Sequence, residues 1–541
     1  MIKYILGLCF FVQFSLQGQE HAWVYFTDKE DVANSINNPS SILSERAIAR
    51  KARHSIPIDE RDVPVNEGYI AQIKALSTVE VLAKSKWMNA IHVLGTLSEI
   101  QELQNLIFVG SIYYANHSLN GKRAVNSKET ASFHTQKNKE LLVDYEYGTS
   151  ETQVQQIKIH ALHELDYTGE GMMVAVMDAG FPGVDQIGAF AHLRENGKLL
   201  GGYDFPDRTS SVYSYSGNSH GTHVLSDMAG FIEGEFVGTA PEAQYILFRT
   251  EVAESETPVE ESYWVEAAER ADSLGVDVIN TSLGYSTFDN PDYSYSPSDM
   301  DGSTAFISKG ANIAVEKGIL VVSSAGNSGN DTWGIITAPA DANVYAVGAG
   351  NSQGNYVSFS SRGPNANGVV KPDGMAMGRS AAIITPSNEI ALSNGTSFAS
   401  PIMAGAITCL WQAYPNRTNV EIMQMVRESS SMYTVPNANM GYGIPDFSVF
   451  ATVYDDEDDP DEQQGIMVYP NPVSERITIQ LGENENIALV KVFTVSGRLV
   501  KEQEIIAGEQ EIDVSALKSA IYIIEVKTDT GRKQLYKVAR R

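Results

Sequence analysis

Hydrophobic residues follow more than one rhythm along this chain. Between residues 151 and 452, short runs apolar on both faces recur: Met173-Val-Ala-Val-Met177, Val276-Asp-Val-Ile-Asn280, Ile319-Leu-Val-Val-Ser323 and Val344-Tyr-Ala-Val-Gly348. Stretches of helical spacing, such as Tyr263 to Ser273 and Ala305 to Lys317, lie between them. Strands apolar on both faces and separated by helices predict an α/β domain with a mostly parallel sheet covered on both sides. Ligand sites in such sheets lie at the carboxyl ends of the strands.

The flanks read differently. Over residues 20–150, strand-like runs at Ala22-Trp-Val-Tyr-Phe26, Val79-Glu-Val-Leu-Ala83, Ala90-Ile-His-Val-Leu94 and Ile107-Phe-Val-Gly-Ser-Ile112 surround a short helical stretch, Ser98 to Asn105. That mixture predicts a small α+β unit, and the polar, aperiodic stretch from His117 to Glu140 predicts a linker. Residues 453–463 form a second linker around Asp455-Asp-Glu-Asp-Asp-Pro-Asp-Glu462, whose like charges repel and extend the chain. A calcium-binding loop is the other reading of that run. Residues 464–541 carry Ile477 to Leu481, Leu489 to Phe493, Gln510 to Val514 and Ala520 to Val526 with turns between, a small β-sandwich. At the start, Lys3, an apolar run from Tyr4 to Val12, and small residues at Ser15 and Gly18 have the order of a secretory signal peptide over residues 1–19. The run is too short for a membrane span.

Composition narrows the classes. The chain has 541 residues, 43% hydrophobic and 20% charged, which excludes a disordered or fibrous protein. Lys and Arg number 39 against 67 Asp and Glu, a net charge of −28, and no basic run offers a face to nucleic acid. The two cysteines, Cys9 and Cys409, are too few for a disulfide framework or a thiolate zinc site.

All ten histidines precede residue 224, so a late serine cannot have its histidine behind it, as an α/β-hydrolase requires. The candidate serine is Ser397, in Asn394-Gly-Thr-Ser-Phe-Ala-Ser-Pro401. Apolar residues at 399, 402, 403, 406, 407, 410 and 411 place it at a helix N-terminus, where free N–H groups favour negative charge on a substrate oxygen. A plain N-cap at Thr396 or Ser397 is the bland alternative. The candidate base is His220 in His220-Gly-Thr-His-Val-Leu225, which also opens a helical stretch. His223, one turn on, leaves a metal pair as a second option, without a carboxylate or thiolate partner at matching spacing. His160-Ala-Leu-His163 repeats the pattern and reads as packing. The candidate orienting acid is Asp178, at the carboxyl end of the run 173–177. A carboxylate there needs a partner such as an imidazole N–H. Otherwise it caps the following turn. Asn327 in Ser324-Ala-Gly-Asn-Ser-Gly329 could donate an amide N–H to an oxyanion, or simply form a turn.

Together these segments resemble the subtilisin-like serine proteases, the subtilases. The matching stretches are Val174-Ala-Val-Met-Asp-Ala-Gly180, His220-Gly-Thr-His-Val224, Val278-Ile-Asn-Thr-Ser-Leu-Gly284, Ala325-Gly-Asn327 and Gly395-Thr-Ser-Phe-Ala-Ser-Pro401, in that family's order, within about 155–450. The resemblance implies a subtilisin-like three-layer domain and a serine endopeptidase working through an acyl-enzyme. It implies a triad of Asp178, His220 and Ser397, and Asn327 as oxyanion donor. It implies pairing of Ser282, Leu283 and Gly284 with the substrate backbone. No cofactor is implied for the chemistry, and structural calcium is left open. Ala179 departs from the family's usual Ser or Thr. Leu225-Ser-Asp227 departs from its small residues, and Asp227 is expected one turn below the active site.

Residues 20 to about 118 resemble a subtilase propeptide, which implies a zymogen with a cleavable inhibitor and folding aid. Val468-Tyr-Pro-Asn-Pro472, Val492-Phe-Thr-Val-Ser-Gly497, Ile521-Tyr-Ile-Ile524 and Val538-Ala-Arg-Arg541 resemble the sorting domain of the type IX secretion pathway of Gram-negative bacteria. The expected partners are therefore peptide substrates, the propeptide and the secretion machinery. The expected location is outside the cell or on its surface, reached through the periplasm and outer membrane. The pocket for the residue before the scissile bond is expected between 283–285 and 324–327, floored by 337–340. Asp341 is the single acid nearby, so apolar or uncharged side chains are favoured. A non-catalytic surface protein of the same fold and a metal hydrolase using His220 and His223 are the competing readings.

Overall fold

The computed structural model describes residues 18–76, 78–120, 145–451, 467–469, 473, 475–481, 487–494, 499–506, 509–518, 520–529 and 533–540. The acidic run at 455–462, nearly all of the signal peptide and most of the first linker lie outside the described residues. The chain divides into two compact units, Met1–Thr452 and Val453–Arg541.

The first unit opens with an antiparallel sheet of β1 (Gln19–Phe26), β2 (Glu80–Ser85), β3 (Ala90–Thr96) and β4 (Val109–Tyr114), in the order β2-β3-β1-β4. Helices α1 (Val32–Asn37), α2 (Glu45–Arg53) and α3 (Glu67–Ala75) fall between β1 and β2, and α4 (Leu97–Glu102) lies between β3 and β4. The closing strand thus begins two residues later than its hydrophobic run suggests. Ile107 sits in the preceding turn with 96% of its surface exposed, so it contributes nothing to the core. Helix α2 escapes hydrophobic periodicity because its buried side is made of Ala47, Arg50 and Lys51.

After α5 (Glu151–Gln156) and α6 (His160–His163) comes the predicted α/β domain. Its strands are β5 (Met173–Asp178), β6 (Leu199–Asp204), β9 (Gln244–Arg249), β10 (Val278–Thr281), β11 (Leu320–Ser324), β12 (Tyr345–Gly350) and β13 (Gly374–Met377). They form one sheet, β13-β12-β11-β10-β5-β9-β6, and every neighbouring pair is parallel. Two small hairpins, β7 (Phe231–Ile232) with β8 (Phe236–Val237) and β14 (Arg379–Ile384) with β15 (Ile390–Asn394), lie outside it. The helices are α7 (Ala191–Glu195), α8 (His220–Ala229), α9 (Val259–Leu274), α10 (Phe306–Glu316), α11 (Thr396–Ala413) and α12 (Asn419–Glu428), packed on both sides of the sheet. Helices α8 and α11 pack against each other, as do α9 and α10. β5 is buried along its whole length, with β9 on one side and β10 on the other. Strand order reverses there, so the carboxyl end of β5 is the topological switch point.

In the second unit, β16 (Met467–Tyr469), β17 (Arg476–Gln480) and β20 (Glu509–Asp513) form one antiparallel sheet. A second contains β18 (Ile487–Thr494), β19 (Leu499–Ile506), β21 (Ala520–Thr528) and β22 (Lys533–Arg540). Ile477, Ile479 and Ile512 of the first share a core with Val490, Val492, Ile524 and Val526 of the second, as a sandwich requires.

Candidate active site

Asp178 ends β5 with its side chain fully buried, and His220 is the first residue of α8. His220 Nδ1 donates to Asp178 Oδ1 at 2.7 Å. Gly221 permits this approach, because a Cβ there would stand 2.6 Å from the Gly180 carbonyl oxygen and 2.9 Å from Asp178 Cβ. Asp178 Oδ1 also accepts from the Ala179 N–H at 2.8 Å, so the turn-capping and imidazole-orienting roles coexist. Oδ2 is buried and has no hydrogen-bond partner among the described atoms. Burial works against a charged His220, but the Asp178 carboxylate outweighs it and holds the imidazole above its usual titration range.

Ser397 is the second residue of α11, and the ring of Phe398 beside it lies 5.9 Å from the His220 ring. Gly395 takes the N-cap position and no side chain of the helix caps it, which replaces the expectation of a cap at Thr396 or Ser397. Pro401 has no N–H to offer the carbonyl four residues back. That carbonyl, of Ser397, instead accepts from Ser282 Oγ at 2.8 Å. Ser400 Oγ donates to Asn280 Oδ1 at 2.8 Å, stitching the start of α11 to the end of β10. Ser397 Oγ donates to the Ser282 carbonyl at 3.4 Å and is not hydrogen-bonded to His220. Catalytic hydrogen bonds are commonly this loose before substrate arrives.

Asn327 follows β11, and its Oδ1 accepts from the Thr396 N–H at 2.9 Å and from Thr396 Oγ1 at 3.0 Å. With its oxygen occupied, the exposed amide has an N–H₂ end with no hydrogen-bond partner among the described residues, beside the first turn of α11. Leu283 and Gly284 follow Ser282 in irregular, partly open chain, and their backbone pairs with no strand among the described residues. Tyr285 closes the segment by exchanging both backbone bonds with Ala338. Thr337 lies between the two walls. Its Oγ1 would be 2.2 Å from a Cβ at Gly284 and 3.0 Å from one at Gly326, and it is buried without a partner. Asp341 turns away, bound to Ser308 Oγ at 2.6 Å and the Gly302 N–H at 2.7 Å.

The remaining candidates are structural. His163 donates from Nε2 to the Thr239 carbonyl at 3.0 Å and accepts from the Tyr147 hydroxyl at 2.8 Å, near the buried thiol of Cys409. Asp227 lies two turns from His220, one more than expected, and Gln153 Nε2 donates to it at 3.0 Å. Burial pushes its carboxyl well above the usual range. Gly217-Asn-Ser-His-Gly221 has the Gly-x-Ser-x-Gly spacing of a nucleophile turn, but Ser219 precedes α8 and its carbonyl accepts from the Thr222 and His223 N–H groups. Among the described residues no group of three or more His, Cys, Asp or Glu side chains is placed to hold a metal ion.

Two residues at the site carried no separate sequence signal. Arg249, opposite Asp178 in register, pairs with Asp204 and Asp207 at 2.9 Å and lies 3.5 Å from the centre of the Tyr215 ring. The Tyr285 hydroxyl donates to Glu251, whose carboxyl burial pushes up. A third, Thr396, sits inside the Gly-Thr-Ser motif, where its hydroxyl was a signal that could have been used.

Three family profiles match the chain. One described as the Peptidase S8 propeptide domain of Bacteroidota covers 21–132, the Subtilase family covers 169–444, and a secretion system C-terminal sorting domain covers 467–539. Subtilisin E of Bacillus subtilis (strain 168) is 33% identical over 294 residues, 54% of this chain and 68% of that protein. Subtilisin of Bacillus pumilus is 33% identical over 294 residues, 54% of this chain and 94% of that protein. The crystal structure of the epidermin leader peptide processing serine protease of Staphylococcus aureus is 17% identical, with a TM-score of 0.52 over 80% of this chain and 98% of that one, and shares the fold.

Proposed function

The chain belongs to the subtilase family, and from that premise we propose that Asp178, His220 and Ser397 are its triad and Asn327 its oxyanion donor. It is a serine endopeptidase made with a propeptide and a type IX sorting domain, and it is exported to the cell surface or beyond. The observation that carries the residue assignment is the 2.7 Å bond between His220 Nδ1 and buried Asp178 at the switch point, beside the N-terminus of the helix bearing Ser397.

The Ser397 hydroxyl leaves the Ser282 carbonyl by rotation about χ1 and attacks the scissile carbonyl carbon. His220 Nε2 takes its proton, while Asp178 fixes the tautomer and stabilises the imidazolium. The charge that develops on the carbonyl oxygen meets the free Asn327 N–H and the first-turn N–H groups of α11. His220 returns the proton to the leaving amine, and water attacks the acyl-enzyme by the same route in reverse. The substrate lies extended along Ser282, Leu283 and Gly284 and adds a strand by backbone pairing. Thr337 limits the depth of the first pocket, which supports short apolar or uncharged side chains before the scissile bond. The chain's own groups supply every step of this chemistry.

We assign residues 20–120 to an inhibitory, fold-assisting propeptide. Glu269 of α9 accepts from the Lys86 and Trp87 N–H groups at 2.8 and 2.9 Å, seating the β2–β3 turn on the peptidase domain. Residues 145–156 belong with the mature enzyme: Gly148 bridges to Phe236, and Ser150 Oγ donates to the Val237 carbonyl at 2.8 Å. From these contacts we propose that maturation cleavage falls between Asn120 and Tyr145. Ser397→Ala should abolish peptidase activity and self-processing in a folded protein. Peptide hydrolysis by that variant at the parent rate would overturn the assignment.

A further inference from the structure

The propeptide touches the peptidase domain in two places. The sheet β1–β4 rests on α9, where Trp23 Nε1 donates to Ser262 Oγ at 2.8 Å. The second contact, through α2 and the turn after it, continues from the end of α9, where Lys86 Nζ donates to Ser273 Oγ at 2.6 Å, onto the face of the domain away from the cleft. It meets the amino ends of parallel strands and the carboxyl ends of helices. Ser44 takes the Ser273 carbonyl through its N–H at 2.9 Å and the Leu274 carbonyl through Oγ at 3.0 Å, both at the end of α9. Arg46 donates to the Gly275 carbonyl at 2.9 Å and the Gly171 carbonyl at 3.0 Å, and pairs with Asp277. Asp277 itself accepts from the Met173 N–H at 2.9 Å, so this cluster fastens the start of β10 to the start of β5, about a hundred residues away in sequence.

The next turn of α2 holds the end of α10, where Lys317 precedes β11 by three residues. Arg50 donates to the Lys317 carbonyl at 2.9 Å and pairs with Asp272 at 2.6 Å. Lys51 pairs with Asp272 at 2.9 Å and with Asp62 at 3.1 Å. Lys317, at the end of α10, reaches back to Asp59 at 2.8 Å and Asp62 at 2.7 Å. The side chains of Arg50, Lys51, Asp62, Asp272 and Lys317 are all at most 2% exposed. Cations at the carboxyl ends of α9 and α10 also meet the favourable end of each helix dipole. The fit is close: a Cβ at Gly275 would stand 2.6 Å from the Ala47 nitrogen, and one at Gly318 would stand 1.9 Å from Ile56 Cδ1. His54 packs on Trp411 of α11, ring centres 5.7 Å apart. Trp411 is fourteen residues from Ser397 on one helix, about 21 Å along its axis. A segment there cannot block the cleft.

We propose that Ser44–Asp62 is a folding clamp: its docking partner is the amino edge of this chain's own parallel sheet, and it holds β5, β10 and β11 in register while the domain forms. The proposal rests on the reading of residues 20–120 as a folding aid and divides the labour within them. Parallel sheets are slow to fold because distant strands must meet before contacts reward them. In this proposal a helix that binds the chain entering all three strands at once shortens that search, and its buried ion pairs favour the native geometry.

The test uses the full chain carrying Ser397→Ala, which cannot cleave itself, unfolded in urea and refolded by dilution, with tryptophan fluorescence as the readout. Arg50→Met with Lys51→Met, and the milder Arg46→Gln alone, should slow refolding, the double variant by about tenfold or more, with the unfolding rate changed far less. Ser262→Ala, at the other contact, should leave refolding within about twofold and speed unfolding. Wild-type refolding of Arg46→Gln with faster unfolding, or equal slowing by Ser262→Ala, would overturn the clamp. If the double variant does not fold, the refolding rate of Arg46→Gln decides. Deleting 20–120 separates the two claims. If that chain refolds as fast as the parent, the folding-aid reading fails. If it is slow while the α2 variants refold normally, only the clamp fails.

Discussion

Thr396→Val separates the orientation of the Asn327 amide from the amide itself. Asn327 Oδ1 accepts two bonds from Thr396, from the backbone N–H at 2.9 Å and from Oγ1 at 3.0 Å, and valine keeps only the first. It also removes the bond from the Gly326 N–H to Oγ1 at 3.2 Å, which holds the loop. Of the two bonds lost, the one to Asn327 bears directly on the amide; one neutral hydrogen bond contributes about 0.5–1.5 kcal/mol net, which corresponds to a fall in kcat of roughly 2–12-fold. Removing the donor outright by Asn327→Leu should cost about 10²–10³ in kcat, the magnitude measured for the oxyanion donor of a subtilisin. In both variants KM should stay near the parent value, because the interaction strengthens only as charge develops. The assay is steady-state hydrolysis of a short chromogenic peptide, with enzyme concentration fixed by active-site titration. Thr396→Ser should restore most of the loss. Parent kcat in Thr396→Val, or an effect carried by KM, would refute the role given to this pair.

Three further outcomes are expected. His220 must be neutral to accept a proton, and Asp178 raises its pKa, so kcat/KM should fall as pH drops through a value above 6.5. Asp178→Asn should move that limb lower, and a limb at or below 6.5 in the parent would contradict the pairing. Thr337→Gly should deepen the first pocket and shift a peptide-library profile from short toward longer apolar residues, whereas a parent profile dominated by Arg or Lys would refute the reading of the pocket. Deleting residues 464–541 should leave kcat/KM on short peptides within about twofold and stop the enzyme from reaching the outside of the cell. Normal appearance of the truncated protein there would favour a binding role for the sandwich.

What could be read from sequence depended on how local the chemistry is. Asp178, His220 and Ser397 each sit where a change of hydrophobic rhythm marks a strand end or a helix start, so their positions followed from pattern and motif. The partners that position them did not. Thr396 and Asn327 meet across 69 residues, and Thr337 reaches Gly284 across 53, and no periodicity encodes such contacts. Helix α2 was invisible for another reason. Its buried face is Arg50 and Lys51, which a hydrophobicity pattern assigns to solvent, and their burial makes sense only beside Asp272 and Asp62. Strand β9 is obscured in the same way. Its apolar centre, Tyr245 to Phe248, is flanked by Gln244 and Arg249, and Arg249 is buried through its pairs with Asp204 and Asp207.

Reaction with a fluorophosphonate tests most directly whether Ser397 is the nucleophile. The matured enzyme should lose peptidase activity in step with incorporation of one phosphonyl group, and peptide mapping by mass spectrometry should place that group on Ser397. Ser397→Ala should take up no label. Full inactivation with the label on another serine, or an active enzyme that never reacts, would contradict the triad.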